Sequence, residues 1–241
     1  MQTGLYVTLS AQMALEKRLD TIADNIANAG TVGFRATEVK FEDLVSGAGQ
    51  KSVDFASAGT NFLSDKHGEL VHTGNPLDFA VKGHAWFSIS TPVGQVMTRD
   101  GRFTMLNTGE LVTHEGYPVL DAGGAAIQLD PNAGTPQVGA DGAITQNGRL
   151  QGAIGLFDFT PGDDVKRFGN SGVIPPVPPQ PVVDRSDVGV MQGFVEQSNV
   201  NAIQEMTKLI ALQRNFDSTA SLVRQSESSM DDAIKTLGAT S

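Results

Sequence analysis

Residues 22–36 read IADNIANAGTVGFRA, and within them the chain changes from one kind of structure to another. Ile22, Ile26 and Ala29 recur at spacings of four and three, as in the last turns of an amphipathic helix. From Asn28 to Phe34, stop signals follow with no new helix start. Upstream, Leu5, Thr8, Gln12, Leu15 and Leu19 continue the same alternation, with Leu9 and Met13 broadening it on one side. This is a heptad seam of period 3.5, cleanest from Leu15 to Ala29.

The other end of the chain repeats the pattern over a longer reach. Ala202, Met206, Leu209, Gln213, Phe216, Ala220, Val223, Glu227, Met230, Ile234 and Leu237 alternate four and three, and only Gln213 and Glu227 among them are polar. A helix this long spans about 50 Å at 1.5 Å per residue. Gly238 supplies a stop, and Ser198 or Asn199 a cap at the start. An ordinary core-facing helix carries a similar stripe. The persistence of the 3.5 period and the placement of the two seams at opposite termini favour coiled-coil packing. Neither stripe buries itself alone, so each needs the other helix, a neighbouring copy, or both.

Between the helices the period falls to two. From Leu77 to Phe159, runs such as DFAV, AWFSIS, QVMT and RFTML alternate with the turn pairs Asp100-Gly101, Thr108-Gly109, Glu115-Gly116, Asp141-Gly142 and Asn147-Gly148. Turns at this spacing predict antiparallel hairpins and a small β barrel or sandwich. The fold class is therefore α+β, with terminal amphipathic coiled-coil-type helices flanking a mainly antiparallel β domain. Residues 35–70 look irregular. In 174–183, IPPVPPQPVV, five of the chain's eleven prolines crowd into seven positions, which predicts an extended spacer.

The totals limit function. With 17 Lys+Arg against 27 Asp+Glu, the chain is too acidic for a nucleic-acid or anionic-membrane partner. Cysteine is absent, which removes disulfides, thiolate nucleophiles and cysteine-based zinc sites. The 27 glycines, about 11% against a usual ~7%, agree with many turns. No secretory leader is legible at the start, and no apolar run is long enough for membrane insertion.

Catalytic constellations fail residue by residue. GAGQKS (47–52) lacks the glycine that a phosphate loop needs before its lysine. His67 and His72 are five apart, away from helical spacing, and His84 and His114 stand in hairpin context. No GxSxG elbow occurs. Asp163-Asp164 and Asp231-Asp232 read as solvated acidic pairs. Trp86 and Phe87 read as core, with a sugar-stacking platform as the minor alternative. The sequence offers no catalytic residue, cofactor site or metal site, and predicts a protein that is not an enzyme.

Five stretches now combine. IADNIAN followed by TVGFR resembles the N-terminal signature of the flagellar rod and hook proteins. TGNPLDFAVKGHAWFSISTPVG (73–94) and MTRDGRFTMLNTGELVTHEGYPVL (97–120) are similar to the start and the hairpin pair of that family's β domain. GFVEQSNVN (193–201) and EMTKLIALQRNF (205–216) resemble its approach to the last helix and that helix itself. The match keeps its order over nearly the whole chain. Asp24, where Asn is commoner, and His84-Ala85-Trp86, where a Gly-containing stretch is usual, depart from the pattern without touching the seams. The short length, the single β domain and the ending SSMDDAIKTLG resemble proximal-rod members more than distal-rod ones.

The resemblance implies a structural subunit of the basal-body rod, needed for motility and exported without a cleaved signal through the flagellar type III apparatus. Its partners are then itself and other proximal and distal rod subunits, and its place is the rod crossing the periplasm. The expected divisions are an axial helix in 1–34, an irregular connector in 35–72, a β domain in 73–173, a Pro-rich linker in 174–192 and a second axial helix in 193–241. The expected assembly interface is Leu15, Leu19, Ile22, Ile26, Met206, Leu209, Phe216, Val223, Met230, Ile234 and Leu237. The family motif at the helix exit is Asn25, Asn28, Gly30, Gly33 and Phe34, its glycines permitting a sharp turn and its asparagines bonding nearby backbone. The alternatives are a distal-rod paralogue, or a carbohydrate- or peptidoglycan-binding β domain with a helical dimeriser.

Overall fold

The computed structural model describes residues 2–40, 43–46, 53–56, 59–183 and 185–238. The GAGQKS stretch lies outside them. The chain divides into two compact units, one of residues 1–27, 37–61 and 201–241, the other of 28–36 and 62–200.

The first unit holds helix α1 (Gln2–Ala27) and helix α2 (Ala202–Gly238), which pack on each other. The cap of α2 is Asn201: its Oδ1 accepts the Gln204 amide at 3.1 Å, and its carbonyl accepts the Glu205 amide at 3.0 Å. Ser198 and Asn199, the expected caps, lie before the first helical turn. The buried face of α2 also differs from the expected seam. Leu209, Phe216 and Val223 are half-buried as one heptad position, but Glu205 and Leu212 are buried beside them, whereas Met206 and Gln213 are exposed. Both choices satisfy a spacing of three and four. The apolar Leu212 in place of the polar Gln213 decides which side of the Leu209–Phe216 line faces inward.

Between these helices, where irregular chain is expected, the unit carries strands. Asp43–Ser46 pairs antiparallel with Val53–Ala56, and the latter lies against α1. Thr37–Lys40 pairs with Thr60–Leu63. Strands of four residues give only two repeats of an alternation, too few to distinguish from a loop by pattern.

The second unit is antiparallel β. Its largest sheet has six strands in the order Lys166–Phe168, Gly172–Ile174, Gly94–Thr98, Trp86–Thr91, Leu156–Asp158 and Gln180–Pro181. Among the described residues this sheet is open at both edges and closes no barrel. Both faces are covered. Phe87, Ile89 and Val96 join one cluster with Phe79, Leu111 and Ile144, while Trp86, Met97 and Val173 join another with Phe157 and Phe159. Adjacent residues Trp86 and Phe87 therefore enter opposite clusters, which is why AWFSIS opens on two neighbouring aromatics before it alternates.

A three-stranded sheet holds Gln137–Val138, Ala143–Gln146 and Arg149–Ala153, the last two joined at Asn147-Gly148, both with positive φ (49° and 73°). Two-stranded pairs complete the unit, Phe79–Lys82 with Gly189–Gln192 and Leu70–His72 with Phe194–Glu196 among them.

The Pro-rich stretch works inside this unit. It leaves the sheet at Ile174 and rejoins it at Gln180 on the far edge, four strand positions away. Four spacings of about 4.8 Å make roughly 19 Å. Six residue steps of polyproline II at about 3.1 Å make the same length. The prolines keep the strap extended, and Pro181 sits in an edge strand, where a missing N–H is tolerated.

Candidate assembly interface and helix junction

On α1, Ile22 is buried and Leu15, Leu19 and Ile26 are half-buried. On α2, Leu209, Phe216 and Val223 are half-buried, and the side chains of Met230, Ile234 and Leu237 lie outside the described residues. The two helices cover only part of each other. Ile203, Met206 and Ile210, at spacings of three and four, form a stripe on α2 exposed at 78%, 49% and 53%. Leu9 and Met13 form a similar exposed pair on α1. No described helix is long and apolar enough to cross a membrane.

Each residue of the exit motif has a separate task. Within the first unit, buried Asn25 makes both bonds that a neighbouring strand would make to Thr37: its Nδ2 donates to the Thr37 carbonyl and its Oδ1 accepts the Thr37 amide, each at 2.9 Å. Within the second unit, the Asn28 carbonyl accepts the Thr31 amide at 3.0 Å, and its Oδ1 accepts the Thr31 hydroxyl at 3.2 Å. Gly33 has φ +70°, and a Cβ there would stand 2.2 Å from the Asp100 amide nitrogen. Gly30 meets nothing within 4 Å and has no left-handed φ, so of the two expected glycines only Gly33 is required by geometry. Phe34 is buried beneath the Arg167 guanidinium, 4.2 Å from its ring centroid.

The chain leaving α1 is fastened to the chain approaching α2. The Gly33 amide donates to the Glu196 carbonyl at 2.7 Å, and the Asn199 amide donates to the Phe34 carbonyl at 3.4 Å. Asn199 Oδ1 accepts the Ala36 amide, and its Nδ2 donates to the Lys66 carbonyl, both at 2.7 Å.

Beneath it lies a buried ion cluster that pattern reading did not find. Glu196 pairs with Arg35 at 3.0 Å and with Arg99 at 2.9 Å, and it accepts the Gly68 amide at 3.1 Å. Arg35 also donates to the Lys66 carbonyl (2.6 Å) and to Nδ1 of His67 (2.8 Å), which makes the neutral Nε2–H tautomer the partner. Arg99 reaches the Gly83 carbonyl at 2.8 Å. Burial lowers the pKa of both arginines, that of Arg99 to about 10 despite the pull of Glu196, so both stay charged at neutral pH. Burial, then repulsion by Arg35 and Arg99, pushes His67 below its ordinary value. Both guanidinia stand over Trp86, at 5.7 and 5.3 Å, and Phe159 meets its edge at 5.6 Å. Trp86 is 6% exposed and offers no open face for stacking a sugar.

This arrangement holds chain segments together. Among the described residues no group of three or more His, Cys, Asp or Glu side chains is placed to hold a metal ion.

Three family models match: the flagella basal body rod protein over residues 5–35, the flagellar hook protein FlgE/F/G D1 domain over 80–146, and the flagellar basal body rod FlgEFG protein C-terminal region over 191–236. The chain belongs to the flagellar basal-body rod protein family and is a structural rod subunit. Within that family it is 66% identical to the rod protein FlgF of Mesorhizobium japonicum over the full length of both, and 61% identical to FlgF of Rhizobium meliloti over 99% of each. Against the rod protein FlgG of Bacillus subtilis the identity is 33%, over 97% of this chain and 98% of the relative. The similarity thus runs to FlgF, the proximal-rod reading, more than to FlgG.

Proposed function

We propose that this subunit enters the proximal rod through its terminal helices, which pack in coiled-coil fashion against those of neighbouring subunits to build the wall of the drive-shaft tube. The observation that carries this reading is the apolar stripe Ile203–Met206–Ile210, left uncovered although α1 and α2 already pack on each other. Burying such a side chain is worth roughly 1.5–3 kcal/mol, so the stripe favours a partner. Leu15, Leu19, Ile22, Ile26, Leu209, Phe216 and Val223 then serve the hairpin of α1 and α2 or its neighbours, together with Met230, Ile234 and Leu237. The partners are further copies and other rod subunits, and delivery is by the flagellar type III export apparatus. The β domain of 73–173 is carried on this axis, with 174–192 returning the chain toward the second helix.

Deleting residues 203–237 tests the reading. The expected result is loss of swimming and of incorporation into basal bodies, with a soluble β domain retained. Normal swimming by the truncated chain refutes it.

A further inference from the structure

The β unit carries two exposed surfaces of opposite charge. One is a groove of about 510 Å³ beside the proline strap, walled by Phe159, Val165, Val173 and the Pro175–Pro176 pair. Asp163, Asp164 and Lys166 also line it, so its charged lining is net acidic. Asp163 and Asp164 are exposed and make no ion pair among the described residues. Asp164 is held at φ 57°, in the left-handed region that few non-glycine residues occupy.

The other is the hairpin of Ala143–Gln146 and Arg149–Ala153. Its Asn147-Gly148 turn is a rigid two-residue type that fixes the direction of the tip. Just beyond the turn stand Arg149, the only charged residue in 143–153, and Leu150, exposed at 69%. Arg149 likewise makes no ion pair among the described residues. Arg149–Ala153 is also the free edge of its sheet.

We propose that the Arg149–Leu150 tip of one copy docks in the Asp163–Asp164 groove of a second copy, with Leu150 entering the apolar trough and Arg149 meeting the acidic rim. Charge selects the occupant. The chain carries a net charge of −10, so two copies repel unless a cation of one is set against an acidic patch of the other. The tip and the groove are different surfaces, so the contact is head-to-tail and propagates from subunit to subunit instead of closing on a pair. This inference rests on the rod-subunit reading and adds to the helix contacts a lateral one through the β unit.

The natural chain has no cysteine, so introduced thiols are the only ones on it. Two differently tagged full-length copies, one carrying Leu150→Cys and the other Asp163→Cys, are produced together in motile cells, and isolated basal bodies are mildly oxidised. A mixed disulfide dimer bearing both tags is expected, and none when both copies carry Leu150→Cys alone. Arg149→Asp on the first copy lowers the mixed dimer by about tenfold, and Asp164→Arg on the second restores it. Basal bodies that contain both copies but give no mixed dimer overturn the proposal. Capture of the Leu150→Cys thiol on a different rod chain overturns it too, as does a dimer indifferent to both charge reversals. Failure of the rod-subunit reading would appear elsewhere, as swimming without residues 203–237.

Discussion

Replacing Glu196 by Gln removes the one negative charge between two buried guanidinia. The Arg99 and Arg35 side chains are 1% and 5% exposed, and water cannot take over the role of the carboxylate. The amide oxygen can keep both the Gly68 N–H and Arg35, which share one carboxylate oxygen, but the amide NH2 then faces Arg99 and cannot accept from it. Breaking a buried pair while leaving its partner charged costs about 3–5 kcal/mol. A single domain is typically stable by only ~5–15 kcal/mol, so the loss is large. Trp86 is the only tryptophan and lies against both guanidinia, so its fluorescence reports unfolding from the site itself. With a urea dependence of ~2 kcal/mol per molar, the unfolding midpoint should fall by about 2 M. A fall below about 0.5 M would mean that the cluster is screened or relaxes, and would refute the reasoning. Changing Arg35, Arg99 and Glu196 together to Met should recover most of the loss, since no charge is then stranded.

Three further outcomes are expected. Gly33→Ala should cost about 2 kcal/mol or more in the same urea assay, from its left-handed φ and the approach of Asp100, whereas Gly30→Ala should be neutral or stabilising by up to ~1 kcal/mol. His67 has a folded pKa below 6.5, so its contribution is complete above that pH and is lost as pH falls through 6.5 toward the folded value. The groups facing it are Arg35, Arg99, Glu196 and His84. The urea midpoint should drop between pH 7 and 5, and His67→Gln, which keeps an acceptor for Arg35 but cannot titrate, should flatten that drop. Met206→Glu with Ile210→Glu should leave thermal unfolding of the purified chain within about 0.5 kcal/mol of the parent, since both sites are exposed, yet abolish spreading in soft agar.

Periodicity made both helices legible, because long stripes repeat often enough to be counted. The hairpins of 77–159 were legible through their Gly pairs, which mark turns by a local backbone requirement. Elements set by distant partners were not. Leu212 and Gln213 are equally placed by a heptad count, and only the neighbour selects between them. The Pro-rich stretch reads as a spacer, but which two points it joins depends on sheet order. Glu196 and Arg99 are 97 residues apart, and no local pattern links them. One signal was available: Glu196 is a lone acid beside Phe194 and Val195, and Arg99 directly follows the uncharged strand Gly94–Thr98. Isolated charges in such places call for burial with a partner.

The bonds that fasten residues 33–36 to residues 196–199 also fix when the molecule finishes folding. Ala36 and Asn199 are separated by 163 positions, and Gly68 and Glu196 by 128. A polypeptide appearing N-terminus first has no carboxylate for Arg35 and no Asn199 oxygen to accept the Ala36 amide until its last fifth has emerged. Closing so wide a loop is slow, so the corner after the first helix is among the last parts of the molecule to set.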